Sequence, residues 1–506
     1  FSAAVKQAQV LTNKYPEAFI FWNILGASAI KIGILDQAIE AFKKVISLKP
    51  DYVDAYSNLG VALQDQGNID KAIDAYNKAI SLKPDYAIAY SNLGNAYKEQ
   101  GKLHKAIDAY NRAISLKPDY ADSYYNKGVA LQDQGKLDEA IHAYNKAISL
   151  NPDYAQCYNN MGNAFRVQGK LEKAIESYRN SFFLKPNHAE AHNNLSLTLL
   201  NCGKIKEGLD EHEWRLKTAD GLSQQRHFLQ SMWDGKTSLK NKKILLWCEQ
   251  GIGDTMNWSS CLPFITSRAK HCIVECQEKL VPLLQRSFPN VEIKAEDRSL
   301  DSERQDFDLH LPMGSLYKHF IDEIMQNAKP HAYLVPDPER VKFWRKRLRS
   351  VGKGPYIGIS WKSSNMSSSR LPNYTPITEW SAVLNVPDVT FINLQYTDYV
   401  DDIAKVQDEF GVTVHNFEDI DQYNNIDEVA ALCAALDMVV STKIAPPFIS
   451  SSVGTTTKIA NWRQSSYNNI LTNPVTSSYE MFERDTWEPW DNVFSFIAQN
   501  SSKLSN

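Results

Sequence analysis

The chain has no surplus of either charge: 55 Lys and Arg stand against 59 Asp and Glu in 506 residues, a formal net charge of −4. That balance removes the electrostatic footprint on which bulk binding to nucleic acid or an anionic membrane depends. No apolar run approaches the roughly 18 residues that a membrane helix needs. The start, FSAAVKQAQV, lacks the apolar core and cleavage site of a secretory signal. A cytoplasmic protein is the expectation. Cysteine is scarce as well, 7 in all, with Cys272 and Cys276 as the only close pair and no histidine pattern beside them. An odd count so spaced argues against a disulfide framework and against a zinc site, and leaves reduced, buried thiols. The chain opens on Phe1, not Met, and so reads as a trimmed piece of something longer. At roughly 100–200 residues per domain its length suits about three folded units.

What the sequence does have is repetition. NLGVALQDQGNIDKAIDAYNKAISLKPDY at 58–86 returns as NLGNAYKEQGKLHKAIDAYNRAISLKPDY at 92–120, a period of 34 residues. Each unit predicts a helix A with Tyr56, Leu59, Ala62 and Leu63 on one face, a turn at Gly67, and a helix B with Ala72, Ile73, Tyr76 and Ile80. Pro84 then ends helix B. The pattern resembles the tetratricopeptide repeat over residues 1–222, as six units behind a leading partial one. The sixth decays, with Ser196 and Gly208 where the others have glycine and alanine, as a capping repeat would. The resemblance implies an all-α solenoid that exposes its A helices along a concave groove. Asn58, Asn92, Asn126, Asn160 and Asn194 form a row on that groove, with Asn95 and Asn163 one turn on. An amide row can hold an extended protein or peptide by its backbone; the competing reading is a set of solvated amides common to the repeat.

From Glu211 the texture changes. A polar stretch, taken as a linker over 223–243, leads into ILLW (244–247), a short apolar run followed by Gly251, Gly253 and Asp254. Such a run suits a buried parallel strand that ends in a glycine-rich turn before a helix. Similar runs recur at 272–276, 291–293, 307–311, 356–361, 389–394, 412–416 and 438–442, most of them separated by helix-length segments. This alternation predicts two doubly wound α/β domains, 244–349 and 350–506, divided after the helix ERVKFWRKRLRS.

WDGKTSLKNKKILLWCEQGIGDTMNW, DFDLHLPMGSL, GISWKSS, FINLQYTD and DEVAALCAALDMVVS, in that order, resemble the heptosyltransferase-like (family 9-type) glycosyltransferases that follow tetratricopeptide repeats in many bacterial proteins. The likeness to protein O-linked N-acetylglucosamine transferases is one of layout and is weaker. The resemblance implies two Rossmann-like domains of the glycosyltransferase B type. The acceptor would lie on the first and a nucleotide-sugar donor mainly on the second; no metal motif appears in the sequence, so transfer without metal or other cofactor is the expectation. Asp254 matches the family's functional aspartate and is the candidate base, against a competing reading as a helix cap. Glu249 is a second carboxylate. Gly251 and Gly253 would let the backbone approach a ligand.

Lys362, Ser363 and Ser364, just beyond an apolar strand, are candidates to hold the donor diphosphate, with Arg370 in the same loop. Gln395 and Asp398 are candidates for base or sugar contacts. At MVVSTKIAPPFISSSVG the sequence departs from the family: Lys443, Ile444, Phe448 and Ser451 stand where an aspartate–threonine pair, a histidine and a glycine–alanine run are usual. Helix-start amides around Ser450, aided by Lys443, are the expected remaining phosphate contact. The basic run Arg340–Arg349 reads as a solvated helix face, His310, His319 and His331 as surface or packing residues, and Trp462, Trp487 and Trp490 as core or seam anchors. The departure motivates a second class of function, a non-catalytic scaffold in which the transferase fold is kept for packing.

Overall fold

The structure, a computed structural model, describes residues 1–299, 301–327, 332–363, 374–462, 479–484 and 489–501. The chain forms two compact units, Phe1–Ala191 and His192–Asn506.

In the first unit, the helix Ser2–Lys14 precedes helix pairs that repeat with the sequence period, such as Val53–Asp65 with Ile69–Leu82 and Ala87–Glu99 with Leu103–Leu116. Gly67 and Gly101 turn each pair at φ of 84° and 72°, a left-handed conformation that costs glycine nothing. The same pairs need small residues where they cross. An added Cβ at Gly60 or Gly94 would lie 2.4 or 2.5 Å from the ring of Tyr76 or Tyr110, and both rings are fully buried. The tyrosine hydroxyls donate to helix A of their own repeat, alternately to Gln64, Asn95, Gln132 and Asn163, at 3.0, 2.7, 3.1 and 2.8 Å. Asn95 and Asn163 are therefore structural acceptors. Between repeats, Gln66, Gln100 and Gln168 donate to Asp36, Asp70 and Asp138.

The second unit contains two parallel sheets. The first comprises β1 (Ser231–Met232), β2 (Lys243–Trp247), β3 (His271–Cys276), β4 (Glu292–Ala295) and β5 (Leu309–Pro312), in the order β1-β5-β2-β3-β4. The second comprises β6 (Tyr356–Ser360), β7 (Thr390–Asn393), β8 (Val414–His415), β9 (Met438–Thr442), β10 (Thr456–Trp462) and β11 (Tyr479–Arg484), in the order β11-β10-β9-β6-β7-β8. The predicted runs fall on β2 to β9. Strands β1, β10 and β11 were not foreseen, because β1 is two residues long and β10, TTKIANW, interrupts its apolar pattern with Lys458 and Asn461, both buried.

The second sheet has helices on both faces. Ile392, Leu394 and Val439 pack on Ile426–Ala435 and Ala445–Ser452, whereas Ile357, Ile359 and Val440 pack towards Ser381–Leu384 and Asp491–Ser501. The first sheet departs from the doubly wound expectation. Ile244, Leu246 and Val274 face a helical layer, but Leu245 and Ile273 face Phe228 and Phe307. Right-handed crossovers that step from β2 to β3 to β4 stay on one face, so the return from β4 to β5 must run along the other. Its segment is rich in Asp, Glu and Arg, has no helical apolar period, and among the described residues forms one 3-10 turn, at Asp301–Glu303.

The segment read as a linker completes that second face. Arg226 is buried, donating from Nε to Asp301 at 2.7 Å and from Nη2 to Glu275 at 2.9 Å. Trp233 and Leu239 are buried and Ser231–Met232 pairs with β5. Residues 223–243 therefore belong to the α/β unit itself. All seven cysteines are free thiols, six of them buried. Among the described residues no helix is long and apolar enough to cross a membrane.

Candidate functional site

The carboxyl edges of the two sheets face each other. The helix Ile252–Ser259, after β2, approaches the helix Ala445–Ser452, after β9: a Cβ on Gly253 would lie 3.2 Å from the ring of Phe448. Further along the same edges Lys279, after β3, donates to the carbonyl of Tyr423 at 3.0 Å and lies 4.2 Å from the centre of its ring. Burial pulls the Lys279 ammonium below its usual range, opposed by Asp421. Tyr423 and Tyr396 sit side by side with ring centres 6.0 Å apart, and the Tyr396 hydroxyl donates to Ser363 at 3.3 Å.

Asp254 lies in the first turn of its helix, half-buried, where a carboxylate is favoured by the helix dipole. Its Oδ2 is 3.9 Å from where a Cβ on Gly251 would stand. Gly251 begins the helix, and the close approach at Gly253 is taken by Phe448. Glu249 is not a free carboxylate. It is buried on Arg215, which donates to Oε1 from Nη2 at 2.6 Å and from Nε at 3.2 Å, and the Gly314 amide donates to the same oxygen at 3.2 Å. Burial raises the Glu249 carboxyl above its usual range in spite of Arg215.

On the second sheet, most of the candidate donor contacts already have partners. Lys362 Nζ pairs with Asp402 at 2.6 Å, and Trp361 Nε1 donates to the same oxygen at 2.9 Å. Burial pushes the Asp402 carboxyl up, but these two partners outweigh it and hold it below its usual range. Gln395 is fully buried; its Oε1 accepts from the amides of Trp361 and Lys362, each at 3.0 Å, and its Nε2 donates to the Lys362 carbonyl at 2.7 Å. It shapes the exit of β6. Lys443 follows β9 and is half-buried.

Ser450 corrects the expectation of a helix-start phosphate site. The helix begins at Ala445, so Ser450 lies in its last turns, fully buried, 2.6 Å from the Thr457 hydroxyl. Pro446 and Pro447 remove two of the amides that the true start would offer. Ser364, Arg370, His331 and Trp487, and the side chain of Trp462, lie outside the described residues.

The basic helix is also engaged internally: Arg340 Nε donates to Glu428 at 2.9 Å and Arg347 Nη2 to Asp419 at 2.6 Å. Trp490 packs on Phe494. Among the described residues no group of three or more His, Cys, Asp or Glu could hold a metal ion. Sequence reasoning missed Lys279, Tyr396, Tyr423 and Asp402, which leave three different strands and share no motif.

In the first unit the asparagine row divides in two. Asn92 Nδ2 reaches Ser57 at 3.4 Å and Asn160 Nδ2 donates to the Tyr125 hydroxyl at 3.0 Å, each in the preceding repeat. Asn58 and Asn126 are half-buried and make no side-chain hydrogen bond to another described residue. Asn194 falls in the second unit.

Residues 30–67, 62–101, 94–135 and 162–203 match a TPR repeat model, and 121–154 and 143–176 match two further tetratricopeptide repeat models. Residues 30–203 are thus tetratricopeptide repeats. The chain is 30% identical over 301 residues to Protein FlbA of Caulobacter vibrioides, covering 56% of this chain and 50% of FlbA. The chain therefore spans about half the length of the curated relative it matches. Among solved structures it is similar to MamA, at 33% identity over 33% of this chain and 97% of MamA, with a TM-score of 0.30. It is also similar to YrrB, described as a TPR protein with an unusual peptide-binding site, at 23% identity over 36% of this chain and 93% of YrrB, with a TM-score of 0.31.

Proposed function

We propose that the chain recruits a partner protein by holding an extended segment of it along the A-helix face of the repeats. The observation that carries this reading is the pair Asn58 and Asn126, two amides without intramolecular side-chain bonds among the described residues, set two repeats apart on one face. A carboxamide offers both a donor and an acceptor, the same pair that a peptide group presents. Asn92 lies between them and is tied to Ser57 of the preceding repeat, and Asn160 ties the following repeat to Tyr125 beside Asn126. The test is fluorescence polarisation of the full chain against a random peptide library. Asn58→Ala with Asn126→Ala is expected to weaken the selected peptide about ten- to a hundredfold, the loss of two hydrogen bonds. The melting temperature should not move, since neither amide is bonded within the fold. Undiminished affinity would remove the row from recognition.

A second reading concerns the α/β unit. The order β11-β10-β9-β6-β7-β8 reproduces that of doubly wound dinucleotide-binding sheets, with the switch point between β6 and β9. Together with the heptosyltransferase-like motifs it favours two Rossmann-like domains, the first extended to include residues 223–243 and the second over 350–506, that transfer a sugar from a nucleotide donor to the recruited protein or a glycan. Asp254 would act as base. Tyr396, Tyr423 and Lys279 would offer a stacking face and a cation to the donor, a role that Gln395, Ser450 and the Asp402-bound Lys362 are too committed to fill. Phe448 on Gly253 and the prolines at 446 and 447 favour the scaffold alternative.

Melting of the full chain with a panel of nucleoside diphosphates and nucleotide sugars separates the two. A ligand at 100 times its Kd adds about 2.7 kcal/mol to stability. A selective shift, retained in Asp254→Asn while transfer is lost, would establish the enzyme; no shift with any nucleotide would leave the scaffold.

A further inference from the structure

The face of the first sheet that lacks a helical layer carries a cavity of about 510 Å³, whose lining includes none of the candidate catalytic or donor-binding residues. Its volume falls within the roughly 300–1,000 Å³ of small-molecule sites. Trp247, His310 and Phe228 form aromatic walls, Leu229 and Met232 add apolar ones, and the polar lining includes Ser302.

Two anchors hold the strap above the sheet. Arg226 is tied to Asp301 and Glu275, and Gln230 Nε2 donates to the Arg304 carbonyl at 2.7 Å, so Phe228 and Leu229 are suspended between fixed points. Arg226 and His227 also line the cavity, and among the described lining residues Arg226 carries the one permanent charge. His310 Nδ1 accepts from Trp247 Nε1 at 3.3 Å, which leaves the proton on the other ring nitrogen, and burial holds its pKa down to about 4. Its ring meets Phe228 with centres 4.9 Å apart, tilted by 56°. The charge of Arg226 is answered by three carboxylates: Asp301 and Glu275, which accept from Arg226, and Glu296, 3.6 Å from its Nη1. Leu229 remains 80% and Met232 44% exposed, apolar surface beside an aromatic hollow that a planar apolar ligand would remove from water.

We infer that this cavity is a binding site for a small uncharged aromatic molecule, stacked among Trp247, His310 and Phe228 and covered at its edge by Leu229 and Met232. The experiment is a titration of the full chain with N-phenyl-1-naphthylamine, a neutral fluorescent naphthalene. Saturable binding at one site per chain is expected. Leu229→Trp and Ser302→Trp, each filling the hollow from an exposed position, should each weaken it by about tenfold or more without shifting the melting temperature. A curve that does not saturate, or affinity unchanged in both variants, overturns the assignment. Equal affinity for the anionic 1-anilinonaphthalene-8-sulfonate would overturn the uncharged class, because Arg226 is already paired with three carboxylates.

Discussion

Arg215→Ala is expected to destabilise the α/β unit by about 3–5 kcal/mol, the penalty for leaving a buried carboxylate without its cation. The Arg215 and Glu249 side chains are 5% and 4% exposed. Arg215 also donates to Glu213 at 2.9 Å and to the Ser315 hydroxyl at 3.1 Å, so one guanidinium joins the segment before the sheet to the exits of β2 and β5. Glu249 Oε2 has no hydrogen-bond partner among the described residues. Burial already raises this carboxyl. Without Arg215 its folded pKa should rise further above the unfolded value, so the folded chain would keep the proton to higher pH, and stability would fall as pH rises through that window. The deficit of Arg215→Ala should therefore be larger at pH 8 than at pH 5, and Glu249→Gln in the same chain should recover part of it. Urea unfolding followed by tryptophan fluorescence at both pH values reads this directly. An equal deficit at both would show that lost packing, not the orphaned charge, dominates.

Tyr110→Ala is expected to cost about 3–5 kcal/mol in the repeat unit, the range for emptying a buried aromatic site. The ring is fully buried against Gly94 and its hydroxyl donates to Asn95 at 2.7 Å. Tyr110→Phe should lose only about 1 kcal/mol, that of one hydrogen bond. Adding Gly94→Ala to Tyr110→Ala should recover some stability, because the new methyl enters the space that the ring leaves. Alone, Gly94→Ala should destabilise by overpacking, about 1–3 kcal/mol. Because each repeat touches only its neighbours, hydrogen exchange should show protection lost over 87–116 and the adjoining helices first. Uniform loss from 53 to 184 would contradict that nearest-neighbour picture.

The repeats were legible because their determinants are local. Glycine at the left-handed turns, proline after helix B and alanine or glycine at the crossings each act within one period of 34 residues. The apolar strands β2 to β9 were legible for the same reason. The candidate site was less so. Gln395 and Lys362 look like ligand contacts in sequence because they follow apolar runs. The fold instead places Gln395 on the backbone of 361 and 362, and Lys362 on Asp402, 40 positions away. A helix start was expected at Ser450, but the helix begins at Ala445, which buries that serine.

The sequence by itself determined the all-α repeat array, its period and turns, the change to an α/β unit and the positions of eight strands. Hydrophobic periodicity and backbone preference act over a few residues and can be read without a fold. Only the tertiary structure decided which polar side chains are already partnered: Glu249 by Arg215, Lys362 by Asp402, Asn95 by Tyr110 and Arg226 by Glu275 with Asp301. It also decided that one face of the first sheet is covered by a strap and an irregular crossover, with a cavity between aromatic rings. These outcomes depend on strand order, which brings together residues separated by tens of positions, and no local pattern encodes it.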